Sequence, residues 1–269
     1  MSQTVRENAA GLRARLDERR DDPGLPGVAG ELFAAADLIG SDVQLRTALS
    51  DAGQPASART SLVHALFDER LSPIAVQTLA DLVAQRWSDA FDMVEVLEAL
   101  GAQAAFLVSQ REGSLDSVED QLFGFAQSLA GSAHLQMALT DPSVGSAAKS
   151  ALVGSLLEGR AAAQTSQVLS YALSHLRGRR ADAVMTVLMD LAAEQRNRSV
   201  AHVRVARPLD HDQAARLTGA LSRLHGRDIR LNVAVDPEVI GGIAVRVGDE
   251  VMDATIATRI DQARRALVG

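Results

Sequence analysis

The chain has 269 residues, 47% of them hydrophobic and 23% charged, with no cysteine and a formal net charge of −7. These proportions are those of a globular protein of one or two domains and exclude a disordered chain. The lack of cysteine excludes a disulfide scaffold, thiolate zinc sites and a thiol nucleophile, and the acidic balance argues against coating nucleic acid.

The N-terminal stretch MSQTVRENAAGLRARLDERRDD is charged throughout and has no apolar h-region, so no secretory signal is expected. The longest apolar stretches run about ten residues before Asp, Gln or Arg interrupts them, short of the ~20 needed to span a bilayer. Residues 1–197 read as helix almost without interruption. Apolar residues recur at three and four, as in Leu32, Phe33, Ala36 and Ile39, and again in Leu122, Phe123, Ala126 and Leu129. Breaks are expected at Asp22-Pro23-Gly24, Pro26-Gly27, Asp51 to Pro55 and Asp141-Pro142-Ser143. Ser72-Pro73 fits an N-cap followed by a first-turn proline.

The period changes after Arg198. Residues 199–207 alternate as a half-buried strand does, and residues 210–224 return to helical spacing with Asp210 or Asp212 as cap. Strands follow at 229–235 and 239–247, then a short one near Val251-Met252 and a closing helix over about 256–267. The expected fold is therefore mainly α, a duplicated helical bundle followed by a small α+β C-terminal domain. Three parts are expected: an N-terminal extension (1–90), a helical bundle (91–197) and an α+β domain (198–269).

The duplication rests on self-comparison. An ungapped shift of 90 residues pairs 18 identities over the 70 positions from Leu25 to Val94. They include Leu32-Phe33 with Leu122-Phe123, Asp51 with Asp141, and Leu62-Val63 with Leu152-Val153. An Ala- and Leu-rich composition supplies some of these by chance, but they cluster on apolar faces and at the turn after the third helix. The helix 91–110 then closes the first copy and opens the second.

Catalytic signatures are missing from the sequence. The six histidines show neither HExxH nor HxH spacing, and there is no GxxxxGK[ST], GxSxG or GxGxxG. Lys149, the only lysine, has no glycine loop beside it. No catalytic, metal or cofactor-binding residue is assigned, and the expectation is a protein that is not an enzyme.

The most specific segment is IRLNVAVDPEVIGGIAVRVG, residues 229–248. Gly241-Gly242 between Ile240 and Ile243 reads as a bulge or a close backbone approach within a strand. A phosphate loop is the alternative, and it would need a following helix N-terminus. This segment resembles the signature of the delta subunit of F-type ATP synthases, the family of the mitochondrial oligomycin-sensitivity-conferring protein. The matching positions are Ile229, Leu231, Val235, Asp236, Val239, Gly241, Gly242, Ile243, Val245, Arg246 and Gly248, followed by Asp253 and Arg259. Asp253-Ala254-Thr255 stands where the family often has Asp-Gly-Ser. Upstream, residues 91–197 resemble the helical domain of the family, including the turn at Leu135 to Pro142, and residues 1–90 make this a long form.

The resemblance implies a non-catalytic peripheral-stalk (stator) subunit without cofactors, on the cytoplasmic face of the bacterial plasma membrane. Its implied partners are the N-terminal helices of the alpha subunits, held in apolar grooves of the helical domain, and the C-terminus of the b subunit, held by the α+β domain. The candidate alpha-subunit groove comprises Leu100, Ala104 and Leu107 with Val184, Leu188 and Leu191. The candidate b-subunit contact comprises Ile240, Gly241, Gly242, Ile243 and Val245. Plain core is the alternative reading for each of these residues. The alternative function is a stand-alone helical adaptor that binds partner helices.

Overall fold

A computed structural model describes residues 3–198, 200–225, 229–236, 242–247 and 250–253. The chain divides into two compact units, Met1–Ala192 and Ala193–Gly269. The division falls inside the last helix of the bundle, a few residues before the expected boundary.

The first unit is helical. Its elements are α1 (Gln3–Asp17), α2 (Leu25–Ser41), α3 (Val43–Ser50), α4 (Ala56–Phe67), α5 (Pro73–Ala84), α6 (Ala90–Arg111), α7 (Leu115–Ala130), α8 (Ala133–Thr140), α9 (Ser146–Leu157), α10 (Ala163–Ser174) and α11 (Ala181–Arg198). Adding 90 to α2 through α5 lands on α7 through α10, and α6 answers both to α1 and to α11. Pro26-Gly27 is not a break. Both residues lie in the first turn of α2, where the N–H that proline lacks would have no helical partner.

The polar joints of the two copies coincide as well. Asp42 caps α3 through the amides of Gln44 and Leu45, and Ser132, 90 residues on, caps α8 through Leu135 N. Glu31 Oε2 accepts from Ser72 N at 3.0 Å and from Ser72 Oγ, tying α2 to the start of α5. Its counterpart Gln121 Oε1 accepts from Ala162 N at 2.9 Å and Thr165 Oγ1 at 2.7 Å, tying α7 to the start of α10. Such long-range bonds at matching offsets reflect a repeated structure, because composition alone would not place them there.

One continuous apolar core runs through both copies, from Val5 to Ala192. Its axis is α6, in which 15 of 22 residues are buried. A helix apolar on all sides is stable only when covered on all sides. The copies differ in how they meet this strut. In α2 the residues Leu32, Phe33, Ala36 and Ile39 are all buried, as the spacing predicts. In α7 only the single stripe Leu115, Val118, Leu122, Phe125 and Leu129 is buried, and Phe123 is 59% exposed. The same residue type at equivalent positions is core in one copy and surface in the other, because α2 packs closely along α6 and α7 gains no such cover.

The second unit carries β1 (Val200–Val205), α12 (His211–His225), β2 (Arg230–Val235), β3 (Ile243–Val247) and β4 (Glu250–Asp253). The sheet order is β2-β1-β3-β4, with β1 parallel to β2 and antiparallel to β3, and β3 antiparallel to β4. Ala201, Val203, Val205, Val245 and Val247 share a core with Leu221 of α12, while Arg204 points to solvent. Asp210 begins α12 with a reciprocal cap: its Oδ1 accepts from Gln213 N at 2.7 Å, and Gln213 Oε1 accepts from Asp210 N. Of the strand expected over 239–247, Ile243–Val247 is present, Gly242 takes a left-handed φ of +87° that breaks the pleat before it, and residues 239–241 lie outside the described residues. The closing helix expected over 256–267 lies outside the described residues.

Candidate docking groove

An apolar groove of about 200 Å³ lies among α6, α10 and α11. Val168, Tyr171 and Ala172 of α10 form one wall, and Val184, Val187, Leu188 and Leu191 of α11 form the other. Ala99 and Ala102 of α6 keep the floor low, and Phe33 of α2 reaches into it. Val187 is 52% exposed at the mouth, while Val184, Leu188 and Leu191 on the same wall are buried.

A charged cluster lines one end. Glu98 is buried, and its two oxygens accept from Arg177 Nε at 3.1 Å and from Arg179 Nη2 at 2.6 Å. Both guanidinium groups come from the α10–α11 connection, so the carboxylate on α6 fixes where α11 begins. A buried carboxylate is tolerated only with such partners. Tyr171 stacks on Phe33 with centroids 4.2 Å apart and on His175 at 4.4 Å. Burial of its hydroxyl, with a smaller push from the Glu98 charge, holds the Tyr171 pKa well above the usual phenol range.

The groove meets the sequence-derived candidates on one side only. Val184, Leu188 and Leu191 line it. Leu100, Ala104 and Leu107 are at most 1% exposed and lie in the core. The face of α6 that borders the groove carries Glu95, Ala99 and Ala102, five residues out of phase with the stripe 100-104-107 and so about 140° around the helix. Apolar residues recur on every side of α6 from Leu100 to Val108, so their periodicity there does not reveal which face stays open. Phe33, Val168, Tyr171 and Val187 were missed; no local pattern separates them from ordinary core positions.

In the smaller unit Ile240 and Gly241 lie outside the described residues. Gly242 is exposed, Ile243 is half-buried, and Val245 is 6% exposed in the sheet core, paired with Val203 and Met252. The apolar surface of this unit, among the described residues, is instead Val233 and Val235 on the edge strand β2 and Leu224 on α12. Among the described residues no helix is long and apolar enough to cross a membrane.

Comparison with known proteins places this architecture. The profile of the ATP synthase delta (OSCP) subunit family matches residues 101–267. A protein of Streptomyces avermitilis named ATP synthase subunit delta is 42% identical over 264 residues, 97% of each chain. The protein of that name from Kineococcus radiotolerans is 40% identical over 96% of this chain and 93% of its own. That of Streptomyces griseus is 37% identical with both chains fully covered. The first 90 residues are therefore shared with these relatives. A chain of the Toxoplasma gondii mitochondrial ATP synthase hexamer is 21% identical and covers 64% of this chain and 98% of that one at a TM-score of 0.35, too loose a superposition to argue from. By sequence over nearly its whole length, the chain belongs to the ATP synthase delta (OSCP) subunit family.

Proposed function

We propose that the protein is the peripheral-stalk subunit of a proton-translocating F-type ATP synthase. In this reading it joins the alpha subunits of the catalytic head to the b subunit and resists rotor torque, without catalysis of its own. It sits peripherally on the cytoplasmic face of the bacterial plasma membrane, through its partners. The observation that carries the proposal is the open apolar groove among α6, α10 and α11. Such a slot between helices suits the apolar stripe of an amphipathic helix, read as anchors at i, i+3, i+4 and i+7. The N-terminal helix of an alpha subunit is the proposed occupant. The repeat supports reading residues 1–90, 91–197 and 198–269 as extension, docking bundle and α+β domain.

For the b subunit the proposed contact is the α+β domain, and the β2 edge joins the candidates Ile240, Gly241, Gly242, Ile243 and Val245. Val233 and Val235 are exposed on β2 beside a strand edge that is unpaired among the described residues, a surface that favours adding a further chain segment.

The test uses a synthetic peptide of the cognate alpha-subunit N-terminus and the full chain, with binding read by calorimetry. Val187→Asp places a charge at the groove mouth and is expected to weaken binding by roughly tenfold or more, as loss of about 1.4 kcal/mol or greater. Failure of the peptide to bind the unaltered chain at high micromolar concentration would remove the groove assignment.

A further inference from the structure

The α10–α11 connection has a backbone that L residues avoid. Arg177 has φ +49°, the only positive φ of a non-glycine residue among those described, and Gly178 follows at +82°. Side-chain contacts with α2 of the first copy hold it there. Arg177 Nη2 donates to Ala36 O at 3.4 Å, and the guanidinium rests against Gly40, where any Cβ would collide with it. His175 Nε2 lies 3.0 Å from Asp37 Oδ1. With the Phe33–Tyr171 stack, α2 meets the second copy through residues 33, 36, 37 and 40, one face of a helix at spacings of three, four and seven.

This arrangement is not a general property of the repeat. The counterparts of those four residues on α7 are Phe123, Ala126, Gln127 and Ala130, with a methyl where Gly40 leaves room. The counterpart of Arg177 is Trp87, which is buried and donates from Nε1 to Leu82 O within its own copy. The contacts also converge on the groove. Phe33 and Arg179 both line it, and α11, its outer wall, begins four residues after Arg177.

We propose that α2 acts as a built-in latch: it fixes the α10–α11 connection and thereby sets the position of the α11 wall, so that the first copy is a working part of the second copy's groove. Residues 33, 37, 40 and 177 are then positioning residues. The proposal rests on the groove reading only for its consequence in binding; the latch itself is independent of the occupant. Residues 1–90 thus serve the site in cis, without being a separate docking module.

The test compares the full chain with Gly40→Ala, which drives a methyl into the guanidinium, and with Asp37→Ala, which removes the His175 partner from a half-exposed position. Amide hydrogen exchange is measured along the chain, and affinity for the alpha-subunit peptide is measured beside it. Exchange over residues 176–188 is expected to rise roughly tenfold while α4 and α5 keep their protection, and peptide affinity is expected to fall by a similar factor. Unchanged exchange over 176–188 in both variants would overturn the latch. An equal rise through α4 and α5 would overturn it too, since that is general destabilisation. If the peptide fails to bind even the unaltered chain, the occupant is wrong, and the exchange pattern alone still decides the latch.

Discussion

Arg59 shows how much of the first copy hangs on single polar side chains. It is 4% exposed, and its guanidinium donates to the carbonyls of Val83, Ala84 and Gln85 at the end of α5, and to Asp51 and Gln54 before α4. The carbonyls at the end of α5 lie beyond the reach of the helix's own N–H groups, and a cation suits the negative end of a helix. The second copy has Lys149 at the same place, also buried, so the site keeps a cation although the donor geometry changes. Tyr171 is the only tyrosine, so an alkaline titration followed by near-ultraviolet absorbance reads it alone. Its folded pKa is raised by burial, so the neutral hydroxyl stabilises the fold fully below the unfolded value of about 10. That contribution is lost as pH climbs above this value. The expected result is no phenolate signal through the ordinary tyrosine range, followed by a rise that coincides with unfolding; a signal centred near pH 10 in folded protein would contradict the burial.

At the scale of elements, Gly11 and Gly101 make a matched pair, 90 residues apart on α1 and α6. A Cβ at Gly101 would lie 2.6 Å from Phe33 Cε1, and Phe33 has little freedom to retreat because Tyr171 stacks on it. A Cβ at Gly11 would meet nothing within 4 Å. Gly11→Ala is therefore expected to stabilise by about 0.5–1 kcal/mol through helix propensity. Gly101→Ala gains the same propensity but overpacks the core, with an expected net loss of about 1–2 kcal/mol. Urea denaturation of both variants measures the two signs. Equal effects would mean that α2 does not press on α6 as described.

For the molecule as a whole, the decisive feature is the shared strut. With α6 closing one copy and opening the other inside one core, the helical unit is expected to unfold as a single cooperative body. Trp87, the only tryptophan, reports from the first copy, and Tyr171 reports from the second. Their fluorescence and absorbance transitions in urea are expected to share one midpoint; separated midpoints would show that the copies are independent. Under the proposed stator role, joint unfolding would also account for the extension in mechanical terms, because a subunit that resists torque gains from having no weak hinge between its repeats.

Much of this was legible without coordinates. The helix breaks at Asp51 and Asp141, the Ser72-Pro73 start, the 90-residue repeat, the change of period after Arg198 and the alternation along β1 follow from local chemistry: caps, prolines and periodicity act within a few residues. The family resemblance of residues 229–248 is likewise carried by the order of residue types. Only the tertiary structure decided which apolar faces are interior. Leu100, Ala104 and Leu107 carry the same spacing as a docking stripe yet lie in the core, whereas Phe123 repeats Phe33 and faces solvent. A helical stripe states that a face avoids water; what covers it depends on packing between segments far apart in the chain, and no window of sequence encodes that neighbour.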